Sequence, residues 1–135
     1  MIPVFDHVAL RVADLDRAVE FYCYVLCWKL LSRTADKQHG EAFAYIRMSV
    51  GTLELLQVID ESGAPAAYEP LPVKPPYCPH VAIRVDPLDA YVEFLYRNKV
   101  PIVKGPLEIP DMVKWLYIAD PDFNIIEFVQ WIKSE

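Results

Sequence analysis

The chain repeats itself, and that repetition constrains its fold more than any other feature. His7 to Tyr22 (HVALRVADLDRAVEFY) aligns with His80 to Leu95 (HVAIRVDPLDAYVEFL) at an offset of 73, with 10 of 16 positions identical. Unrelated sequence would give roughly one match over such a window, so the excess marks a duplicated unit. The fold has to accommodate two copies of one supersecondary module.

Each copy opens on alternating residue types. Phe5, His7, Ala9 and Arg11 share one side, and Val4, Val8, Leu10 and Val12 the other, the period of a strand. Leu15, Ala18, Val19, Tyr22 and Leu26 then recur at helical spacing over Leu15 to Leu26, with Asp14 placed to cap the first turn. In the second copy Pro87 stands at the helix start, where proline is tolerated, and Leu88, Tyr91, Val92 and Leu95 form the stripe. Three shorter strands are expected after each helix. They are Lys29–Ser32, Ala42–Ser49 and Thr52–Ile59 in the first copy, with Val50-Gly51 as a tight turn. In the second they are Ile102–Lys104, Val113–Ala119 and Asn124–Trp131, with Asp120-Pro121-Asp122 as the turn. The module is βαβββ, used twice, which predicts an α+β fold. Glu61 to Pro79 carries six of the twelve prolines and excludes a central strand or helix interior, so an extended linker is expected. The organisation predicted is one domain over 1–135, with repeat one at 3–60, the linker at 61–78 and repeat two at 79–132. The linker is either a passive spacer or a device that swaps one half between subunits or closes over a pocket.

Composition excludes several functions. With 13 basic and 19 acidic residues the net charge is −6, against the basic face a duplex nucleic-acid binder needs. Only 4 glycines are present, and neither GxGxxG nor GxxxxGK[ST] occurs. No apolar stretch approaches the ~20 residues of a bilayer span, and Met1 to Asp6 lacks the basic start of a signal peptide. Cys23, Cys27 and Cys78 are odd in number and form no CxxC pair, as expected of reduced thiols in a cytoplasmic protein.

The duplication also carries chemistry. His7 and Glu54 are 47 residues apart, and so are His80 and Glu127. A lone strand histidine is ordinarily a packed residue, and a strand glutamate can simply face water at an edge. A carboxylate among apolar residues, as in Thr52-Leu53-Glu54-Leu55-Leu56 or Asn124-Ile125-Ile126-Glu127-Phe128-Val129, needs a cation or solvent. Equal spacing in both halves favours a metal: two imidazoles and two carboxylates suit divalent Zn, Ni, Co, Fe or Mn. His39, in the polar loop Ala35–Gly40, reads as solvated.

These motifs resemble the vicinal oxygen chelate superfamily, which includes glyoxalase I, methylmalonyl-CoA epimerase, extradiol dioxygenases, and the fosfomycin- and bleomycin-resistance proteins. The resemblance covers nearly the whole chain. It rests on His7-Val8-Ala9-Leu10-Arg11-Val12, on Asp14 to Tyr22, and on Asp120-Pro121-Asp122-Phe123-Asn124-Ile125-Ile126-Glu127-Phe128. It implies paired βαβββ modules forming an open, curled mixed sheet with helices outside, one divalent metal per site held by His7, Glu54, His80 and Glu127, and a homodimer. Two residues depart from the family pattern: Phe123 stands where glycine is usual before the last strand, and Cys27 where glycine usually follows the helix.

Among family activities, the His-Glu-His-Glu set is closest to glyoxalase I. That implies a lyase or isomerase in which a metal-polarised carbonyl lets a carboxylate move the adjacent proton. Glu127 is then the base and Glu54 its pseudo-symmetric partner. Arg11, four residues after His7 on the same strand face, matches a glutathione-carboxylate position, with Trp115 and Tyr117 as further substrate contacts. Val58 stands where a glutathione-binding asparagine is expected, which points to another small molecule with vicinal oxygens or a thioester. Alternatives are an epimerase, although that family tends to carry glutamine at the position of Glu54, an extradiol dioxygenase using His7, His80 and Glu127, or a thiol transferase. A different class is a non-catalytic binder with an acidic, aromatic cleft drawn from Tyr45, Trp115, Tyr117 and Trp131.

Overall fold

The computed structural model of the chain describes residues 1–132. Two compact units divide between Pro70 and Leu71. The first runs β1 (His7–Arg11), α1 (Leu15–Val19), a π-helical continuation (Glu20–Val25), β2 (Leu30–Asp36), β3 (Glu41–Arg47) and β4 (Thr52–Val58). The second runs β5 (His80–Arg84), α2 (Leu88–Arg97), β6 (Lys104–Ile109), β7 (Val113–Ala119) and β8 (Ile125–Trp131). Both are βαβββ, as the repeat predicts.

Each unit forms a four-stranded mixed sheet, ordered β1-β4-β3-β2 in the first and β5-β8-β7-β6 in the second. The first and last strands of a module are parallel neighbours and the remaining pairs are antiparallel. The helix supplies the crossover that parallel pairing requires. This order sets the start of each repeat beside its end.

One face of each sheet meets the helix. In the first unit Val12, Leu15, Ala18, Val19, Tyr22 and Leu26 are buried together with Ala44, Ile46, Leu53 and Leu55. In the second, Leu88 and Leu95 are buried with Leu116, Ile118, Ile126 and Phe128, and the Tyr91 ring lies 4.3 Å from that of Phe128. Each large aliphatic side chain removed from water contributes about 1.5–3 kcal/mol. Strand residues at the alternate positions, including every candidate ligand, project from the opposite face.

The helix starts are capped from the last strand. Asp14 accepts the Arg17 N–H at 3.2 Å, as its position predicts. The first helical N–H comes from Leu15 and is accepted at 2.8 Å by the side chain of Gln57, buried in β4. Gln130 of β8 does the same for Leu88 at 2.7 Å.

Several expectations need correction. The first helix is not α-helical throughout: beyond Val19 it widens to i→i+5 bonding, with Leu26 N–H reaching Phe21 O at 2.9 Å. Its apolar stripe nonetheless stays buried through Leu26. Strand β6 covers Lys104–Ile109, not Ile102–Lys104. It passes through Gly105-Pro106 with a register shift, and as the edge strand it tolerates the missing proline donor. The proline-rich stretch is not extended from its first residue. Asp60 accepts from the Ser62 and Ala64 N–H groups and the Ser62 hydroxyl, Ile59 bridges to Pro65, and Ala66 N–H bonds Val58 O at 2.9 Å.

The two departures from glycine keep the backbone that glycine favours. Cys27 has φ +64° and Phe123 has φ +62°. Around Phe123 the turn is held by Asp120, whose carboxylate accepts the N–H groups of Asp122 at 2.8 Å and Asn124 at 2.9 Å, and the Asn124 amide at 2.9 Å. No helix among the described residues is long and apolar enough to cross a membrane.

Candidate functional site

The strand order makes neighbours of residues far apart in sequence. In the first unit β1 pairs with β4 so that His7 is opposite Thr52 and Ala9 opposite Glu54. His7 and Glu54 thus lie on adjacent strands, two positions apart and on one face. In the second unit Ala82 is opposite Glu127, and His80 takes the corresponding place. The Nε2 atom of His80 lies 3.2 Å from Oε1 of Glu127, with 24% and 16% of the two side chains exposed.

Each imidazole is anchored through its other nitrogen. His80 Nδ1 is 2.8 Å from the Cys78 carbonyl, which only accepts, so Nδ1 carries a hydrogen and Nε2 is the nitrogen turned to Glu127. His7 Nδ1 is held by the Asp6 carboxylate. That hydrogen bond raises the His7 pKa above its ordinary value; partial burial opposes it, and the charges of Glu54 and Asp6 add to it. Anchoring Nδ1 so that Nε2 is free is the arrangement that metal-ligating histidines use.

A tyrosine stands against each pair. Tyr45 on β3 is opposite Glu54 on β4, and the proximity of that carboxylate is the leading reason the tyrosine pKa is raised. Tyr117 on β7 is opposite Glu127 on β8; its pKa is raised first by burial and then by the Glu127 charge. Both tyrosines also meet the histidine edge-on, with ring centroids 6.3 Å apart for His7–Tyr45 and 5.5 Å for His80–Tyr117.

Of the residues singled out in the sequence, His7 joins Glu54 in one unit, and His80 joins Glu127, Tyr117 and Trp115 in the other. Arg11 lies on the His7 face of β1 and stacks on Tyr68, 4.1 Å from the ring centroid. His39 is exposed and paired with Asp36 at 2.6 Å. Within each unit the described His, Cys, Asp and Glu side chains form no group of three or more around a common point. Sequence reasoning missed Asp6, the Cys78 carbonyl and the Tyr45–Glu54 pairing. Tyr45 and Tyr117 are 72 residues apart, so the repeat offset of 73 hides their equivalence.

The duplicated βαβββ fold and its paired His–Glu face describe one class of protein, and comparison with known sequences agrees: the chain belongs to the Glyoxalase/Bleomycin resistance protein/Dioxygenase superfamily, matched over residues 4–128. It is 27% identical over 135 residues to a virulence protein of Salmonella typhimurium, covering 98% of this chain and 87% of that one. It is 28% identical over 132 residues to lactoylglutathione lyase of Haemophilus influenzae, covering 92% and 90%. The crystal structure of SMU.1112c superimposes with a TM-score of 0.77 at 20% identity, covering 96% of this chain and 99% of that one, which shows the fold.

Proposed function

We propose that the chain is a divalent-metal-dependent enzyme of the glyoxalase type, a lyase or isomerase moving a proton beside a carbonyl, with His7, Glu54, His80 and Glu127 as metal ligands. The observation that carries this reading is the approach of His80 Nε2 to Glu127 Oε1 at 3.2 Å. With Nδ1–H committed to Cys78, Nε2 and the carboxylate oxygen are the two atoms able to share a cation. A cation or proton held between them is attracted by both. His7 and Glu54 repeat the donor types, with Asp6 in place of the carbonyl. Each half supplies one imidazole nitrogen and one carboxylate, the donor chemistry that Zn, Ni, Co, Fe or Mn accepts.

When bound, the ion supplies the Lewis acidity that stabilises negative charge developing on a substrate oxygen. Glu127 Oε1 takes the proton from the carbon beside the carbonyl and returns it to the neighbouring carbon, with Glu54 as the symmetry-related carboxylate. Tyr117 and Trp115, on the same face as Glu127, contact the substrate and exclude water, while Arg11 offers positive charge to an anionic end. The substrate is a small molecule with vicinal oxygens or a thioester. Similarity to proteins named lactoylglutathione lyase supports this class. The reading extends to a homodimer in the cytoplasm, consistent with three free cysteines.

Metal analysis of untagged protein tests the reading, together with solvent deuterium incorporation into the hemithioacetals of 2-oxoaldehydes and into acyl-CoA substrates. Stoichiometric divalent metal, lost in His80→Ala and Glu127→Ala, and deuterium in the product are expected. Metal-free protein that binds small molecules equally well in both variants overturns it and indicates a binder.

A further inference from the structure

Arg11, Leu56 and Phe43 form one row across three strands of the first unit. Leu56 on β4 is opposite both Arg11 on β1 and Phe43 on β3. By the same register the neighbouring row is Ala9, Glu54 and Tyr45. Alternate residues share a face and two residues of strand span about 7 Å, so the rows lie side by side. One row holds the candidate ligand Glu54. The next sets an exposed cation beside two half-buried apolar side chains.

The chain returns to this second row after β4. Asp60 organises the reversal by accepting bonds from Ser62 and Ala64, Ile59 bridges antiparallel to Pro65, and Ala66 N–H bonds Val58 O. Two residues further on, the Tyr68 ring covers the Arg11 guanidinium, whose Cζ lies 4.1 Å from the ring centroid. Duplication does not explain this contact. Arg84 is the repeat counterpart of Arg11, and it shows no such stacking among the described residues. Tyr68 lies outside the repeat, in the proline-rich segment that joins the modules.

We propose that Tyr68 is a positioning residue for Arg11, and that the row it completes selects a substrate with an apolar body and a single carboxylate. The inference rests on the reading of this face as the substrate face. A guanidinium stacked on a ring has its plane fixed and its N–H donors at the edge, where a carboxylate binds bidentately. The ring also keeps water off one side of the cation, which strengthens its attraction for an anion. Leu56 and Phe43 supply apolar contact beside it. Row spacing puts the carboxylate about 7 Å from the carbon presented to Glu54. A second negative charge is disfavoured by Glu54 on one side and by Glu41, opposite Val58 in the row beyond, on the other.

The probes are 3-phenylpropionate and its uncharged amide, titrated into chelator-treated full-length protein and followed by NMR of backbone amides and arginine Nε–H groups. The parent binds the carboxylate about 10-fold more tightly than the amide, the effect of a charge-assisted hydrogen bond. Arg11→Met abolishes that preference. Tyr68→Ala reduces it by about 2- to 5-fold, the value of a cation–π contact at an exposed site, and leaves amide binding unchanged. Tyr68→Phe keeps the full preference. The positioning role is overturned if Tyr68→Ala retains the full preference, or weakens both probes alike as a merely structural ring would. The substrate class is overturned if the parent binds the two probes equally or binds neither, or if Arg11→Met still discriminates. Zinc titration of the same protein keeps the two readings apart. Zinc binding without a carboxylate preference overturns this proposal and leaves the metal reading standing. A Tyr68-dependent preference without zinc binding sustains the proposal and overturns the metal reading.

Discussion

His80 Nε2 faces Glu127 Oε1 across 3.2 Å while the opposite ring nitrogen is committed to the Cys78 carbonyl. The pair presents one ring nitrogen and one carboxylate oxygen to a shared cation or proton, and this defines a first prediction. In Glu127→Gln the amide NH₂ donates directly to Nε2, so the metal-free protein gains a neutral hydrogen bond of about 0.5–1.5 kcal/mol. Its unfolding temperature in chelator rises, while its metal affinity falls at least 10-fold. Thermal melts with and without added metal read both effects.

Asp6 determines the protonation of His7. Because the hydrogen bond to Asp6 raises the pKa above 6.5, folded His7 keeps its proton to higher pH than the unfolded chain. The associated stabilisation is fully present below 6.5 and is lost as pH rises through the folded value. Asp6→Asn moves the His7 midpoint downward, and NMR titration of the ring protons of metal-free protein measures it. A midpoint unchanged by the substitution would remove Asp6 from this role.

Gln57→Leu preserves size but strands the Leu15 N–H at a buried helix start. A buried donor left unsatisfied costs about 1–3 kcal/mol. Gln130→Leu costs less, because its bond to Leu88 is only partly buried. Urea unfolding of the two variants ranks them.

Positive φ gives opposite outcomes at two turns. Phe123→Gly relieves a left-handed residue and stabilises by about 0.5–1 kcal/mol, after allowing for the entropy of glycine in the unfolded chain. Gly51→Ala does the reverse: φ is +71°, and the new methyl would lie 2.4 Å from the Asp6 carbonyl oxygen, which accepts the Thr52 N–H at 2.9 Å. Destabilisation of about 2 kcal/mol or more is expected from strain and a disturbed strand bond. Chemical denaturation measures both variants.

The duplicated pattern in the sequence was sufficient to predict two βαβββ modules, the buried stripe Leu15-Ala18-Val19-Tyr22-Leu26, the Asp14 cap and the four candidate ligands. These are local periodicities or identities repeated at a constant offset, so one dimension contains them. Strand β6 escaped because Gly105-Pro106 reads as a break, and only its place at the sheet edge makes it a strand. The π-helical turn after Val19 likewise leaves no mark on the apolar spacing. Tertiary structure alone decided that β1 lies beside β4 and β5 beside β8, which gathers His7 with Glu54 and His80 with Glu127. It also decided that Tyr45 and Tyr117 are equivalent. Cross-strand register depends on where each hairpin takes up its extra residue, and a constant offset along the chain cannot express that.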